Sequence, residues 1–311
     1  LADRYRLGKL LGEGRFSRVY AATPVEADGV PTTPVALKEI GLDVLNDDEE
    51  ALEMLEAEVE ALQHASSHAE LGDAVVKLHE IVRTEEFVFL VLDRVPGEEL
   101  FNVIDASGVL PLPTVHVLMQ QVLQALAALH ELGVVHRDVK PENLMVSGLE
   151  DPSTVRLTLI DFGYADVKCG GTDLTRLAGS PEYAAPEVLS WLAEQGDPYD
   201  ARCDVWSVGI TAHVLISGEL PFEVPEDADE DAIADIARSA TLNFEQSIWE
   251  SEGMEVAKSF LRALLQPDPS LRPSAREALQ LPWLAGSGAI GAEGSAPAQS
   301  APAQSAPAQS A

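Results

Sequence analysis

Short apolar runs in the first third of the chain predict β-strands. They cover a glycine-interrupted segment from Leu7 to Ala21, the residues from Val35 to Ile40, and those from Phe87 to Leu92. Runs of this length between turn-forming residues, rich in β-branched and aromatic side chains, are typical of strands. The N-terminal part of the chain is therefore predicted to be rich in strands.

One helix is predicted to interrupt these strands. Its apolar positions Leu52, Leu55, Val59 and Leu62 are spaced by three, four and three residues, which places them on a single helical face. The acidic cluster from Asp47 to Glu50 precedes all four, and carboxylates stabilise the N-terminus of a helix.

After Gly97 the pattern becomes helical. A second apolar stripe, which Gly133 is predicted to end, consists of Val115, Met119, Val122, Leu126 and Leu129. From Thr154 to Asp161 the apolar residues Val155, Leu157 and Leu159 alternate with Arg156, Thr158 and Ile160. This alternation predicts a short strand that delivers Asp161 to a turn. The predicted fold class is α+β, with a small β-rich lobe in residues 1–94 and a larger helical lobe in residues 95–284.

Composition separates a folded part from a tail. Of the 311 residues, 46% are hydrophobic, which is enough to bury a sizeable core. From Ala285 onward the chain is dominated by Ala, Gly, Ser, Pro and Gln. Such a segment cannot form a core, so residues 285–311 are predicted to be a disordered tail.

The charge of the chain restricts its partners. With 52 acidic and 20 basic residues the formal net charge is -32, which repels nucleic acid and anionic lipid and attracts basic peptides. No run approaches the roughly 18 consecutive apolar residues of a membrane span, and the first residues lack the apolar core of a signal peptide. The two cysteines, Cys169 and Cys203, fit a reducing compartment. We expect an intracellular, cytoplasmic protein that binds neither nucleic acid nor membranes.

Two features near the N-terminus are compatible with anion binding, but each has a plainer explanation. Gly12 and Gly14 lie between strand-like runs, where glycine lets backbone amides approach a phosphate, although a hairpin turn needs glycine as well. Lys38 lies inside an apolar strand, where its ammonium group needs an anionic partner or must extend to the surface. Neither pattern is decisive alone.

The strongest chemical signal is the run from His136 to Asn143, followed by Asp161 to Gly163 at the end of the alternating strand. Phosphoryl transfer from a nucleotide needs a carboxylate near the incoming hydroxyl, oxygen ligands for Mg²⁺, and cations that spread the developing charge. These two stretches supply all three.

Over about Tyr5 to Leu284 the sequence resembles the eukaryotic protein kinase family, with its motifs in order. The resemblance implies a two-lobed fold with ATP in the cleft and the loop from Gly12 to Val19 over the phosphates. It also implies that Lys38 binds the α and β phosphates and is held by a glutamate of the first helix. Glu58 fits the family's helix sequence best, and Glu56 is the alternative.

The resemblance further implies roles for the run from His136 to Asn143, the catalytic loop, and for its neighbours. Asp138 would be the catalytic base, and Lys140 would contact the transferred phosphate, with Lys38 completing the catalytic set. Asn143 and Asp161 would hold the metal. The implied cofactors are ATP and Mg²⁺.

For the adenine, the resemblance implies a hinge from Asp93 to Val95 that uses backbone groups, with Leu92 as gatekeeper. The rest of the implied ATP site is an apolar slot of Leu11, Val19, Ala36 and Met145 and a polar set of Gly12, Glu13, Gly14, Lys38, Glu58, Glu99 and Glu142.

Further along, Gly179 to Glu187 resembles the family's substrate-docking segment, and Asp204 to Gly209 resembles its buried central helix. Substrate docking is implied for Ser180, Pro181 and Glu182. Glu187 would pair with Arg272 in a structural role.

The class of kinase is implied by particular residues. Lys140 together with Ser180 is typical of serine/threonine kinases, and the stretch from Tyr183 to Leu189 with Trp283 is most similar to the calcium/calmodulin-dependent kinase group. After Leu284 there is no basic amphipathic helix of the kind that calmodulin binds, so no calmodulin site is expected in this chain.

The implied partners are protein or peptide substrates. Glu99 and Glu142 fall where basophilic relatives place the acids that bind arginine, which predicts arginine or lysine on the N-terminal side of the target hydroxyl. The alternative for Glu99 is a hydrogen bond to the ATP ribose.

Regulation is implied by one departure from the family pattern. Arg137 would receive an anion from the activation segment, the stretch that includes Thr172, Thr175 and Arg176. In it, Arg176 stands where related kinases often carry a phosphorylated threonine. Either Thr172 or Thr175 is phosphorylated instead, or an acidic residue such as Asp173 orders the loop without phosphate. We favour activity that does not depend on phosphate, because ordering a segment needs only one good charge pair.

The function implied is an ATP-dependent serine/threonine protein kinase that transfers the γ-phosphate of Mg-ATP to protein hydroxyls. The alternative is a pseudokinase scaffold, which would lack at least one charged catalytic group, whereas Lys38, Asp138, Asn143 and Asp161 are all present. Ser17 replaces the third glycine of the phosphate loop. Phosphorylation of a small molecule is disfavoured by the peptide-docking segment.

Overall fold

The computed structural model describes residues 1–25, 33–167, 174, 178–189, 198–225, 227–239, 241–251 and 253–286. Its N-terminal strands are β1 (Tyr5–Glu13), β2 (Ser17–Pro24), β3 (Val35–Gly41), β4 (Leu78–Arg83) and β5 (Phe87–Asp93). They form one antiparallel sheet in the order β1-β2-β3-β5-β4. The three predicted apolar runs all form strands, and the glycine-interrupted run folds into the β1–β2 hairpin.

Strand β4 has no counterpart in the sequence analysis. Its odd and even positions alternate between half-buried and exposed, but the half-buried face includes Glu80 and the exposed face includes Ile81. The Glu80 carboxylate accepts hydrogen bonds from Arg4 Nη2 at 2.6 Å and from the Tyr5 hydroxyl. Because a paired carboxylate occupies an inward position, the alternation of apolar and polar residues is broken.

Helix α2 (Glu49–Ser67) follows the short helix α1 (Leu42–Asp47) and packs beside the sheet. Asp48 caps α2, since its side chain accepts a hydrogen bond from Ala51 N at 3.1 Å. Asp48 belongs to the predicted acidic cluster. Its cap satisfies one of the backbone donors that the start of a helix leaves unpaired.

The buried face of α2 differs from the predicted apolar face. Leu62 is fully buried, but Leu52 is 39% exposed, and Leu55 and Val59 are only half-buried. The buried residues are Ala51, Glu58, Ala61, Leu62 and Ala65. The helix turns Glu58 inward because its carboxylate pairs with a buried lysine of the sheet, so one ion pair overrides part of the hydrophobic pattern.

The second lobe is mostly helical. Its helices are α3 (Leu100–Ser107), α4 (Leu112–Glu131), α5 (Pro186–Leu189), α6 (Arg202–Ser217), α7 (Glu230–Arg238), α8 (Met254–Leu264), α9 (Ala275–Ala278) and α10 (Pro282–Ala285). Its short strands are β6 (Glu98–Glu99), β7 (Val134–Val135), β8 (Leu144–Ser147), β9 (Arg156–Leu159) and β10 (Asp166–Val167). They pair as β6-β8-β9 and β10-β7.

This two-lobed α+β architecture confirms the predicted fold class. The five-stranded sheet ends at Asp93, and α10 ends at Ala285. The exact boundaries at residues 94 and 284 stay predictions. Residues 287–311 of the predicted tail lie outside the described residues.

Helices α4 and α6 form the centre of the second lobe. All five residues of the predicted α4 stripe are fully buried, and Gly133 has a positive φ of 76° just beyond the helix. By length and composition alone α4 could cross a membrane, but half of its apolar window is buried inside the fold. The stripe packs on the core, as its spacing predicts.

Arg272 joins the end of the docking segment to the helical core. Its side chain is fully buried, and its guanidinium donates to both carboxylate oxygens of Glu187 at 2.6 and 3.0 Å. It also donates to the carbonyls of Arg202 and Gln266 and lies over the Trp206 ring, 5.2 Å from its centroid. The guanidinium is therefore both paired and stacked, as a buried charge requires.

We expect Arg272→Met to lower the free energy of unfolding by about 3–5 kcal/mol, because Glu187 would keep a buried charge without its partner. Urea unfolding followed by tryptophan fluorescence measures the change. Arg276→Met is the matched control, since Arg276 pairs with Glu131 on the exposed surface, where ion pairs contribute little. An Arg272→Met protein as stable as the control would contradict a structural role for the buried pair.

Candidate active site

Lys38 lies at the centre of the sheet and points into the space between the lobes. Its Nζ is 2.6 Å from Glu58 Oε1 on α2 and 3.1 Å from Asp161 Oδ1. Burial by itself would lower the pKa of Lys38, but the negative charges of Asp161 and Glu58 outweigh it and raise the pKa. The lysine therefore stays charged, and it does not extend to the surface. Glu56, the alternative partner, is exposed on α2.

Asp161 lies in a strained turn directly after β9. It has a φ of 57°, a left-handed conformation that few non-glycine residues adopt. Its Oδ1 accepts a hydrogen bond from Gly163 N at 3.1 Å. The attraction of Lys38 is the main cause that lowers the pKa of Asp161 to about 2, so the carboxylate is ionised at all physiological pH values. The side chain is nevertheless 49% exposed and can meet a ligand.

Asp204 of α6 holds the catalytic loop in place through hydrogen bonds. Its Oδ1 accepts from Arg137 N at 2.7 Å, and its Oδ2 accepts from His136 N at 3.0 Å and contacts His130 Nε2 at 2.8 Å. Complete burial would raise the pKa of Asp204, but these hydrogen bonds and the nearby histidines lower it. Arg137 is held at a φ of 65°, the second strained non-glycine residue among those described.

Asp138 gathers the polar groups of the loop. Its Oδ2 accepts from Asn143 Nδ2 at 2.8 Å and from Lys140 Nζ at 3.1 Å, and its Oδ1 accepts from Ser180 N at 2.9 Å. Lys140 Nζ also donates to Ser180 Oγ at 2.6 Å. The catalytic loop and the docking segment therefore meet at one buried carboxylate.

Gly179 makes this meeting sterically feasible. Its φ is 83°, and a Cβ at this position would collide with the backbone carbonyl of Arg137. A glycine is needed here for both its conformation and the close approach of two backbones. Of the implied docking residues, Ser180 and Pro181 are half-buried, and Glu182 is exposed.

Asn143 and Asp161 are the residues predicted to hold the metal. Asn143 donates through Nδ2 to the carbonyl and the carboxylate of Asp138, both at 2.8 Å, which leaves its amide oxygen as the outward group. Ile160 N donates to Asn143 O at 2.9 Å and so joins this residue to the neighbour of Asp161. One carboxylate and one amide oxygen are hard ligands that suit Mg²⁺ when phosphate oxygens and water supply the others. The residues present therefore fit a magnesium ion that is bound together with a nucleotide.

The residues of the implied adenine slot lie on β1, β2, β3, β5 and β8 and just after β5. Ala36 and Leu92 are buried, and the half-buried members are Leu11, Val19, Val95 and Met145. The Asp93 carboxylate is tied to the start of β4. His79 Nε2 lies 2.7 Å away, and the N–H of Lys77, the residue before β4, donates at 3.2 Å. Sequence reasoning missed this anchor, which depends on a β-bulge at His79.

The implied phosphate loop is the turn of the β1–β2 hairpin. Gly12, Glu13 and Gly14 are exposed, and Gly14 N closes the turn by donating to Ser17 O at 2.8 Å. Glu13 pairs with Arg18 at 2.9 Å.

Glu99 and Glu142 lie near each other, on β6 and on the turn before β8. Burial is the main cause that raises the pKa of each carboxylate, and the negative charge of Glu142 raises that of Glu99 further. Glu142 Oε2 is buried and has no hydrogen-bond partner among the described residues. A buried acceptor without a partner is rare in folded proteins.

Comparison with known proteins agrees with this geometry. The family model described as a protein kinase domain matches residues 5–284. The chain belongs to the protein kinase family. The calcium/calmodulin-dependent protein kinase type 1 of Macrobrachium nipponense is 35% identical over 287 residues, which are 92% of this chain and 76% of that protein. The serine/threonine-protein kinase DCLK3 of Mus musculus is 33% identical over 280 residues, which are 90% of this chain but only 33% of that protein.

These relatives confirm the predicted resemblance to serine/threonine kinases of the calcium/calmodulin-dependent group. They do not support the scaffold alternative. The structure brings the predicted catalytic and metal-binding residues together, whereas Thr172 and Thr175 lie outside the described residues.

We expect Asp138→Asn to lower turnover by roughly 10² to 10⁴ because an amide cannot accept the proton of the substrate hydroxyl. Nucleotide affinity should be largely kept, since Lys38, Glu58 and Asp161 are unchanged. Steady-state peptide phosphorylation and calorimetric binding of an ATP analogue measure the two quantities. A variant that transfers phosphate at the wild-type rate would show that Asp138 is not the base.

Proposed function

We propose that this kinase transfers the γ-phosphate of Mg-ATP to serine and threonine hydroxyls of proteins and prefers substrates with arginine or lysine before the target residue. The observation that supports the transfer is the convergence of Lys140, Asn143 and Ser180 on the Asp138 carboxylate. The observation that supports the preference is the buried, unpartnered oxygen of Glu142.

Asp138 orients and accepts the proton of the incoming hydroxyl. Three donors fix its carboxylate, so both oxygens have defined directions before a substrate arrives. Such preorganisation matters because a catalytic group held in place costs no reorganisation during the reaction. Lys140 bridges Asp138 and Ser180, which puts a positive charge where the transferred phosphate would pass.

Lys38, Asn143 and Asp161 bind the nucleotide end of the reaction. Lys38 holds the non-transferred phosphates, and its charge is secured by Glu58 and Asp161. Asn143 and Asp161 would hold Mg²⁺ through oxygen ligands. When bound, the ion neutralises charge that develops on the phosphate oxygens.

Glu142 and Glu99 form the proposed arginine site. A guanidinium could donate to the unpartnered Glu142 oxygen and relieve the cost of burying an unsatisfied carboxylate. A basic side chain would also relieve the repulsion that raises the pKa of Glu99. The net charge of -32 attracts basic peptides toward the whole surface, but only a paired contact of this kind selects one position in the peptide.

We expect a degenerate peptide array to show selection for arginine or lysine N-terminal to the hydroxyl, and we expect Glu142→Gln to raise KM for arginine peptides by about tenfold because a charged hydrogen bond is lost. Glu98→Gln is the matched control, since Glu98 is the exposed neighbour of Glu99.

Glu99→Gln separates the two roles considered for Glu99, which are arginine binding and a hydrogen bond to the ATP ribose. A change in KM for ATP alone would assign Glu99 to the ribose.

Selection for proline or for acidic residues would reject the basic preference, and it would leave the assignment as a serine/threonine kinase intact.

We expect KM for an arginine peptide to rise as the pH falls, and the rise to begin at a pH above the ordinary glutamate pKa of about 4.3. The sign follows from the raised pKa values, because Glu99 and Glu142 become protonated at a higher pH than exposed glutamates and then attract a guanidinium less. A matched peptide with alanine in place of arginine should lack this rise, and Glu142→Gln should show a smaller rise because only Glu99 is left to be protonated. A wild-type KM that does not rise until the pH reaches the ordinary glutamate pKa would count against the site.

A further inference from the structure

Arg137 is buried next to the catalytic base and contacts groups that the sequence analysis did not identify. Its Nε donates to the Tyr164 carbonyl at 2.7 Å, and its Nη1 donates to the Tyr199 hydroxyl at 3.3 Å. Its Nη2 lies 3.5 Å from Asp166 Oδ2, and the side chains of Arg137 and Asp166 are 6% and 20% exposed.

We propose that Asp166 is a positioning residue whose carboxylate supplies the anion that Arg137 needs, so that the kinase is active without a phosphate on the activation segment. The proposal rests on the proposed function and concerns the regulation of the same site.

The need for an anion follows from burial. A guanidinium cannot lose its proton in a protein, so a buried arginine needs a partner of opposite charge. Arg137 also directly precedes Asp138 and is held in a left-handed conformation by Asp204. A displaced guanidinium would therefore disturb the backbone that carries the base.

Strand pairing places Asp166 where this anion is needed. Strand β10 pairs antiparallel with β7, with Asp166 opposite Val135 and Val167 opposite Val134. Val135 is two residues before Arg137, so the backbone hydrogen bonds between β10 and β7 position the Asp166 carboxylate. Groups on paired strands are held more precisely than groups on free loops.

The same guanidinium joins the two catalytic segments. Through Tyr164 it binds the chain that follows the Asp161 turn, and through its own backbone it belongs to the loop that carries Asp138. Tyr199 adds a neutral contact, and burial raises the pKa of its hydroxyl to about 12. Tyr199 N also donates to the carbonyl of the buried Leu174 at 3.4 Å, which ties one point of the activation segment to this cluster.

A phosphate brought to Arg137 would meet a site that already holds a negative charge. In kinases, phosphorylation orders the activation segment by forming a new pair with an arginine. Here Asp166 makes that pair, and a second anion at the same guanidinium would be repelled by it. The sequence analysis named Asp173 for this role, and Asp173 lies outside the described residues.

The test starts with the protein made in bacteria and treated with phosphatase, with mass spectrometry to show that Thr172 and Thr175 are unmodified. Initial rates are measured on a mixed serine/threonine peptide library, alongside a Thr172→Ala/Thr175→Ala variant. We expect both proteins to be within about twofold of a sample phosphorylated by an upstream kinase. A wild type that gains its activity only on phosphorylation would overturn the proposal, and this comparison requires no variant to fold.

The role of Asp166 is tested by Asp166→Asn, which keeps the size of the side chain and removes its charge. We expect kcat to fall at least about tenfold while KM for ATP changes less than about threefold, and we expect Asp166→Glu to restore part of kcat. Asp73→Asn is the control, because Asp73 makes a pair of similar length, 3.6 Å to Lys77, on the open surface. Asp166→Asn with wild-type kcat would refute the proposal.

A wrong basic preference would change which library peptides are modified but not the ratio between phosphorylated and dephosphorylated protein. The two proposals therefore fail in different measurements.

Discussion

The active site depends on one fully buried carboxylate, that of Asp204. Removing a carboxylate from water is costly unless donors replace the lost hydration, and here the donors are the backbone amides of His136 and Arg137 and the ring of His130. Because these donors lie on α4 and on the catalytic loop, satisfying Asp204 also sets the position of the loop relative to the two central helices. The strained backbone of Arg137 persists for the same reason.

Other charged groups of the site and of the helical lobe are held in ion pairs. Lys38 is paired with Glu58 and Asp161, Arg272 with Glu187, and Arg137 with Asp166. Among these pairs, the contact between Lys38 and Asp161 joins the two lobes. The pairs of Arg272 with Glu187 and of Arg137 with Asp166 hold elements of the helical lobe together. They contribute specificity of arrangement more than net stability, since desolvation offsets much of their attraction.

Glu142 differs from these paired charges. Its buried oxygen has no partner among the described residues, although neighbouring buried charges are carefully paired. The chain as a whole has 52 acidic and only 20 basic residues, so it offers few cations to fill the gap. A group left unsatisfied at the edge of an otherwise satisfied site is where an incoming ligand gains the most.

Much of the fold and of the site could be predicted from local patterns. The spacing of apolar residues indicated the α4 stripe and the strands β3 and β5, because burial of one face imposes that periodicity directly. The same reasoning failed for β4 and for part of α2. At both places a charged residue, Glu80 or Glu58, faces inward to meet a partner far along the chain, and periodicity carries no information about such partners.

The sequence by itself determined which chemical groups the site contains and their order, because the catalytic loop and the metal-binding turn are short segments whose spacing is set by local backbone geometry. Only the tertiary structure decided which charges meet. Lys38 and Asp161 are 123 residues apart, and the lowered pKa of Asp161 depends on that contact. Likewise the anion at Arg137 is Asp166 because β10 pairs with β7, a choice made by long-range strand pairing that no local pattern records.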